Sequence, residues 1–263
     1  MEKQLPNLDD EFLDLKLNKY LPNFRNEHNA EYTIVFELIS LFNAIEEKFA
    51  GKPDVEQNRY LLSAIVELDK LFQSAVLMFE RGLPRSGNII VRTILELSLN
   101  VVDIVKNKSH IQEKAVSNTY EIISTLNIMK QHKVYNFLSE EKIVELLNTY
   151  EPLVKDKKNR KHKPKELAEK HKFILEYLLY RMYCNDSHIS LRALEENVVN
   201  APEVVFVDKD FNIKDFNNSI FMLVTIAIIS IPVLINDFFN DSQLNESYNC
   251  LLNNLKKNSR RYL

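Results

Sequence analysis

Apolar residues recur every three to four positions along most of this chain, which is the spacing that places them on one face of a helix. The pattern predicts one helix over residues 26–50, ended by Gly51-Lys52-Pro53, and a second over residues 54–81. A third run, over residues 85–106, is apolar on nearly every side. We therefore expect the third helix to lie at the centre of a bundle.

The rest of the chain continues the same pattern with one exception. Further helices are predicted over residues 109–132, 139–150, 164–181, 216–239 and 242–257. The exception is residues 204–213, where β-branched and aromatic residues flank Asp208-Lys209-Asp210, which is typical of a β-hairpin. The sequence predicts an all-α multi-helix bundle with one small hairpin. We expect an N-terminal helical segment (1–53) and a main bundle (54–263) that pack as one compact unit.

Residues 220–235 form the most apolar stretch, sixteen residues without a charge. A membrane-spanning helix needs about 20 apolar residues, whereas this stretch contains Pro232 and is bracketed by asparagine and aspartate. We expect a buried core helix rather than a membrane span. Five acidic residues among the first fourteen argue against a targeting segment, and two cysteines are too few for a disulfide framework. These features predict a cytoplasmic protein that does not bind a membrane.

Composition argues against several kinds of cofactor and metal site. The three glycines are isolated, so neither a P-loop nor a dinucleotide-binding loop can be written from them. The six histidines lack the spacing of a metal site on one helix, and no H-E-x-x-H or E-x-x-H motif occurs. We therefore predict no cofactor and no bound metal.

Four charged residues interrupt the third predicted helix: Arg85, Arg92, Glu96 and Asp103, at spacings of seven, four and seven. These spacings place them on one helical face, and Arg92 and Glu96 are spaced to form an ion pair. The face is either a polar pocket inside the bundle or one wet edge of the helix. A solvated pair contributes less than about 1 kcal/mol, whereas a buried pair must be hydrogen-bonded to be tolerated.

The segment "YRMYCNDSHIS", residues 180–190, gathers groups suited to RNA chemistry. Arg181 and His188 are seven residues apart, which on a continuous helix places both on nearly the same side. The histidine can move a proton near neutral pH and the arginine can stabilise charge on a phosphodiester, so attack by a ribose 2′-hydroxyl needs no metal. Tyr183 and Asp186 are candidates to orient the histidine. Alternatively, His188 only caps or packs, and residues 185–187 break the helix.

A basic segment precedes these groups: residues 155–172 contain nine Lys or Arg and three Asp or Glu. Such a run can neutralise RNA phosphates, although runs of charge are also common in solvated loops. The candidate RNA-binding residues are Lys157, Lys158, Arg160, Lys161 and Lys163. Cys184, four residues before His188, is a less favoured candidate nucleophile with that histidine as its base.

The pattern R-x6-H, formed by Arg181 and His188 late in a helical chain, resembles HEPN domains. Many HEPN domains are metal-independent ribonucleases of toxin–antitoxin and phage-defence systems. The resemblance implies that Arg181 and His188 are a catalytic pair completed across a homodimer. It also implies RNA as the substrate and an antitoxin or another protein as a partner.

A second resemblance covers more of the chain. "RSGNIIVRTILELSLNVV", followed about ninety residues later by "YRMYCNDSHIS", is similar to a bacterial helical family of unknown function with an R-x3-E helix and a later Y/S…H segment. It spans roughly residues 60–240 and implies that Arg92, Glu96 and His188 converge on one site. The sequence thus leaves two functions open. One is a HEPN-like RNA-cleaving or RNA-binding protein of bacterial toxin or phage-defence type; the other is a non-catalytic scaffold or interaction protein with a buried Arg-Glu-His network.

Overall fold

A computed structural model describes residues 24–81, 83–135, 138–158, 163–187, 198–201, 204–207 and 216–259. In chain order the helices are α1 (Asn29–Phe49), α2 (Glu56–Glu80), α3 (Pro84–Lys106), α4 (Ser109–Gln131), α5 (Glu140–Val154), α6 (Pro164–His171), α7 (Ile174–Ser187), α8 (Phe216–Ala227), the single turn α9 (Ile231–Val233) and α10 (Ser242–Ser259). A π-helical segment, Leu234–Phe239, separates the last two. The all-α multi-helix bundle predicted from the hydrophobic pattern is confirmed for this part of the chain.

α2 and α3 form the centre of the bundle, and α1, α7 and α8 pack around them. Their facing side chains form one core, in which Phe42 of α1, Phe72 of α2, Leu95 of α3 and Leu223 of α8 are fully buried. Because α1 contributes to this core, the N-terminal segment and the main bundle share their packing from residue 24 onward.

The apolar stretch at Phe216–Phe239 is interrupted rather than continuous. α8 ends at Ala227, and Pro232 then lies in the first turn of α9, which passes into the π-helical segment. Proline has no N–H to donate and its ring crowds the preceding turn, which explains the interruption. By length and composition, this is the one helical stretch in the described part of the chain that could cross a membrane, and 67% of its most apolar 18 residues are buried inside the protein. Most of residues 220–235 therefore pack in the core, whereas Thr225 is exposed.

The helix predicted over residues 164–181 is two helices. α6 ends where Lys172 adopts a left-handed backbone conformation with a φ of 65°. The Phe173 amide donates to the Ala168 carbonyl at 2.8 Å, which is the long hydrogen bond that closes a helix end of the Schellman type. α7 then begins at Ile174, so the two halves of the predicted helix present their side chains to different parts of the bundle.

α4 and α5 form an arm with a small core of its own. Leu126, Ile143 and Leu147 are buried against one another in a cluster separate from the main core. The arm joins the bundle through the first turn of α4, where His110 and Ile111 are buried.

The hairpin predicted around Asp208-Lys209-Asp210 is not supported. Val198–Ala201 (β1) and Val204–Val207 (β2) pair antiparallel, with Val198 opposite Val207 and Ala201 opposite Val204. Residues 204–207 thus pair with the segment before them, and the predicted turn lies outside the described residues. Val198 and Val199 of β1 face the valine-rich β2, and β-branched residues of this kind favour strand pairing.

Candidate functional site

Arg92, Glu96 and Tyr180, which we call the outer cluster, meet where α3 packs against α7. Arg92 Nη2 lies 3.4 Å from Glu96 Oε1, and the Tyr180 hydroxyl donates to the same oxygen at 2.7 Å. The Arg92 guanidinium also lies over the Tyr180 ring, 5.4 Å from its centroid. The Arg92–Glu96 pair predicted from the sequence is therefore formed, and a tyrosine from α7 is its third member.

The outer cluster is half-buried. The side chains of Arg92 and Glu96 are 30% and 38% exposed, whereas Tyr180 is buried and its ring stacks on that of Tyr177 with 5.8 Å between centroids. The apolar parts of α3 and α7 seal one side of the cluster while water reaches the charged groups from the other. At Arg92 and Glu96, the charged face of α3 is therefore neither a closed pocket nor fully exposed to solvent.

α7 exposes Arg181 immediately after the buried Tyr180. Successive helical residues point about 100° apart, so anchoring Tyr180 on α3 turns Arg181 toward the edge of the interface. The helix continues to Ser187, and the alternative in which residues 185–187 break it is therefore wrong. His188, together with the side chains of Tyr183 and Asp186, lies outside the described residues.

The predicted convergence of Arg92, Glu96 and His188 stays a prediction, because His188 lies outside the described residues. α3 and α7 run antiparallel. Asp103, late in α3, contacts the end of α6, whereas Arg92 and Glu96, earlier in α3, contact Tyr180, which comes later in the chain. Among the described residues, the Tyr180 hydroxyl lies next to Glu96.

A second polar group, the inner cluster, lies two helical turns farther along α3 and consists of Asp103, His110, Lys170 and His171. Asp103 is fully buried, and its Oδ1 lies 2.6 Å from His171 Nε2 and accepts a hydrogen bond from the Lys170 amine. Its other oxygen, Oδ2, lies 2.9 Å from His110 Nδ1. His110 is also fully buried, whereas Lys170 reaches solvent. One carboxylate thereby joins α3, α4 and α6.

The inner cluster keeps its carboxylate ionised despite burial. Burial by itself raises the pKa of Asp103, but hydrogen bonds from His110, Lys170 and His171 outweigh it and hold the pKa well below the ordinary value of 3.8. Four residues after His110, burial lowers the pKa of the Lys114 amine, and the carboxylates of Glu96 and Asp103 oppose that shift. Lys114 therefore lies within electrostatic reach of both clusters.

Sequence analysis identified Asp103 only as one polar position on α3 and missed His110 and His171. A usable signal was present, because an aspartate on an otherwise apolar helix must find hydrogen-bonding partners when it is buried. The partner nearest in sequence, His110, lies in the first turn of the next helix. The other two come from the basic segment, 67 and 68 residues away.

The basic segment divides into exposed and structural charges. Lys157, Lys158 and Lys163 are exposed, as RNA-binding residues need to be, and Arg160 and Lys161 lie outside the described residues. Lys170 differs because its amine is bound to Asp103. At least one charge of the segment therefore stabilises the bundle.

Across the described ranges, no group of three or more His, Cys, Asp or Glu side chains is arranged to hold a metal ion. In the inner cluster, the Lys170 amine donates a hydrogen bond to an oxygen of Asp103 that a metal ion would need. The cluster is therefore a hydrogen-bonded ion pair rather than a set of metal ligands.

Residues 58–203 match the family described as "Family of unknown function (DUF5677)". The matched range runs from the first turn of α2 through α7 and includes every residue of the outer and inner clusters. It agrees with the resemblance to a helical family of unknown function, although it ends at residue 203 rather than near 240, and the resemblance to HEPN domains finds no support. No curated protein and no solved structure matches the chain.

Proposed function

We propose that this chain, which belongs to the DUF5677 family of unknown function, is a metal-independent endoribonuclease or RNA-binding protein. The observation that carries the proposal is the exposed Arg181 on a helix that is unbroken up to the residue before His188. An unbroken helix preserves the seven-residue spacing on which the pairing of Arg181 with His188 depends.

The proposed reaction uses the chain's own groups. His188 takes the proton of a ribose 2′-hydroxyl, whose oxygen attacks the adjacent phosphorus and forms a 2′,3′-cyclic phosphate. The bond from phosphorus to the 5′-oxygen of the next nucleotide breaks, and that oxygen takes up a proton from water and leaves as a hydroxyl. Arg181 stabilises the charge that builds up on the non-bridging oxygens. The outer cluster supports this arrangement by fixing Tyr180, and with it the rotation of α7.

Two surface features beyond Arg181 support the binding of RNA and of a second copy of the chain. The exposed lysines of the basic segment, including Lys157 and Lys158, supply positive charge for phosphates. Earlier in α7, Ile174, Leu175 and Leu178 are exposed, and Leu175 is 68% exposed. Exposed aliphatic side chains of this kind are common at interfaces between subunits, so we propose a homodimer through α7. A cytoplasmic location and an antitoxin or other partner protein remain predictions.

The test is cleavage of a mixed-sequence RNA in excess chelator by the wild-type chain, His188→Ala, Arg181→Ala and Lys130→Ala. Lys130 is an exposed cation on α4, outside the basic segment, so it is the matched control for loss of charge. We expect the first two substitutions to lower the cleavage rate at least about 100-fold, because positioned acid–base catalysis contributes that much. Equal rates for wild type and His188→Ala would exclude the proposed chemistry and indicate a contaminating nuclease.

The outer cluster favours a second candidate, a non-catalytic scaffold or interaction protein. Arg92, Glu96 and Tyr180 satisfy one another across α3 and α7, which is what a structural network requires. This candidate predicts that Glu96→Ala lowers the melting temperature by about 2–4 °C. Glu151→Ala, which removes an exposed carboxylate of α5, should leave it unchanged. A wild-type chain that cleaves no RNA, together with this difference in melting temperature, would favour the scaffold.

A further inference from the structure

A cleft of about 660 Å³ opens at the base of the arm formed by α4 and α5. It is lined by Glu56 at the start of α2, by residues 112–119 of α4 and by the chain around the end of α5. Its size falls within the range of sites that bind small molecules. The Gln57 amide donates to the Ile104 carbonyl at 3.1 Å, which fixes the cleft beside the C-terminal end of α3.

Part of the lining of the cleft is apolar. It includes Ala115 and Val116 of α4 and Leu153 of α5, and Leu153 is 53% exposed. A planar group that packs against exposed aliphatic side chains removes both surfaces from water. A nucleobase is a planar group of this kind.

The lining of the cleft also carries both signs of charge. Lys157 and Lys158 line it, and so do Glu56 and Glu113. The segment that bears the lysines is held in place, because the Tyr120 hydroxyl donates to the carbonyls of Val154 at 3.1 Å and Lys157 at 2.7 Å. The backbone at Lys157 is therefore anchored to α4.

We propose that this cleft is a nucleotide subsite that selects guanine, with Lys157 and Lys158 on the phosphate and Glu56 or Glu113 on the base. Guanine presents two adjacent N–H donors, N1–H and the N2 amino group, which match the two oxygens of a carboxylate. Uracil presents one N–H between two carbonyl oxygens, which a carboxylate repels. The identity of the ligand as part of an RNA rests on the proposed function.

The subsite is separate from Arg181. It lies at the Ile104 end of α3, whereas α7 leaves the outer cluster in the opposite direction along that helix. From Arg92 to Ile104 an α-helix rises roughly 18 Å. Binding of a mononucleotide in the cleft can thus be measured without any contribution from the cleaving pair.

The experiment is calorimetric titration of the full chain with guanosine 5′-monophosphate, uridine 5′-monophosphate and inorganic phosphate. We expect guanosine monophosphate to bind at least about tenfold more tightly than uridine monophosphate, the discrimination of one good bidentate contact. The double variant Glu56→Gln/Glu113→Gln should reduce the preference to about twofold or less, since neutral amides cannot accept both donors. Lys157→Ala/Lys158→Ala should weaken both nucleotides to a similar degree.

Glu151→Gln and Lys130→Ala, both outside the cleft, are the matched controls and should bind as the wild type does. Melting temperatures of all variants exclude misfolding. Equal affinity for the two nucleotides, phosphate binding as tight as that of guanosine monophosphate, or an unchanged preference in the double glutamine variant would overturn the subsite. Measurements on the wild-type chain separate the two proposals: RNA cleavage without guanine preference would sink the subsite alone, and guanine preference without cleavage would sink the nuclease alone.

Discussion

The outer and inner clusters occupy the same apolar helix, α3, yet they differ in their access to water. In the outer cluster, Arg92 and Glu96 keep about a third of their side-chain surface exposed, so water screens their attraction. In the inner cluster, Asp103 has no exposed surface and relies on three partners from two other helices. Burial therefore decides whether an acidic residue on α3 forms a solvent-screened ion pair or a buried link to other helices.

The largest expected effect comes from breaking the inner cluster. Asp103→Ala leaves His110 and His171 buried without their common acceptor, and we expect it to lower the free energy of unfolding by about 3 kcal/mol or more. Urea denaturation measures this change. Asp156→Ala removes an exposed carboxylate and should change the free energy of unfolding by less than about 0.5 kcal/mol. Similar values for the two variants would contradict the role assigned to burial.

Acidification should weaken the inner cluster gradually. The folded-state pKa of Asp103 lies below its unfolded-state value, so the ionised group stabilises the fold above about pH 4 and loses this effect as the pH falls further. The difference in unfolding free energy between wild type and Asp103→Asn should therefore shrink between about pH 5 and pH 2. Asp241, whose pKa is lowered by Lys48, contributes equally to both proteins and cancels in this difference. A difference that stays constant with pH would show that Asp103 acts through packing alone.

The smallest effect is expected in the outer cluster. Tyr180→Phe removes the hydroxyl that donates to Glu96, and we expect a loss of about 1 kcal/mol in the free energy of unfolding. A double-mutant cycle with Glu96→Gln should give a coupling energy below about 1 kcal/mol, because water competes for both groups. If the coupling energy were as large as the change in unfolding free energy caused by Asp103→Ala, the two clusters would not differ in the way proposed.

Local signals predicted the helices well because the apolar period and the helix caps are properties of neighbouring residues. The run over residues 85–106 corresponds to α3, Pro84–Lys106. Ser139 caps α5 as its position suggests, since its side chain accepts a hydrogen bond from the Lys142 amide at 3.3 Å. The Arg92–Glu96 pair was predictable for the same reason, because four residues make one helical turn.

Breaks within helical patterns were harder to predict. No glycine or asparagine marks the end of α6, and a lysine, Lys172, adopts the left-handed conformation there. The cost of that conformation is offset by tertiary contacts, since the residues just before it, Lys170 and His171, bind Asp103. The π-helical segment after Pro232 likewise lies within the packed core, where Leu234 and Ile235 are fully buried.

By itself, the sequence of this protein determined which segments are helical, which of their faces are apolar, and that Arg92 and Glu96 form a pair. Only the tertiary structure decided that Tyr180 completes that pair and that Asp103 gathers His110, Lys170 and His171. The physical reason is distance along the chain. A helical turn fixes contacts between residues three or four apart, whereas the partners of Glu96 and Asp103 on α6 and α7 lie more than sixty residues away and meet them only when the whole core packs.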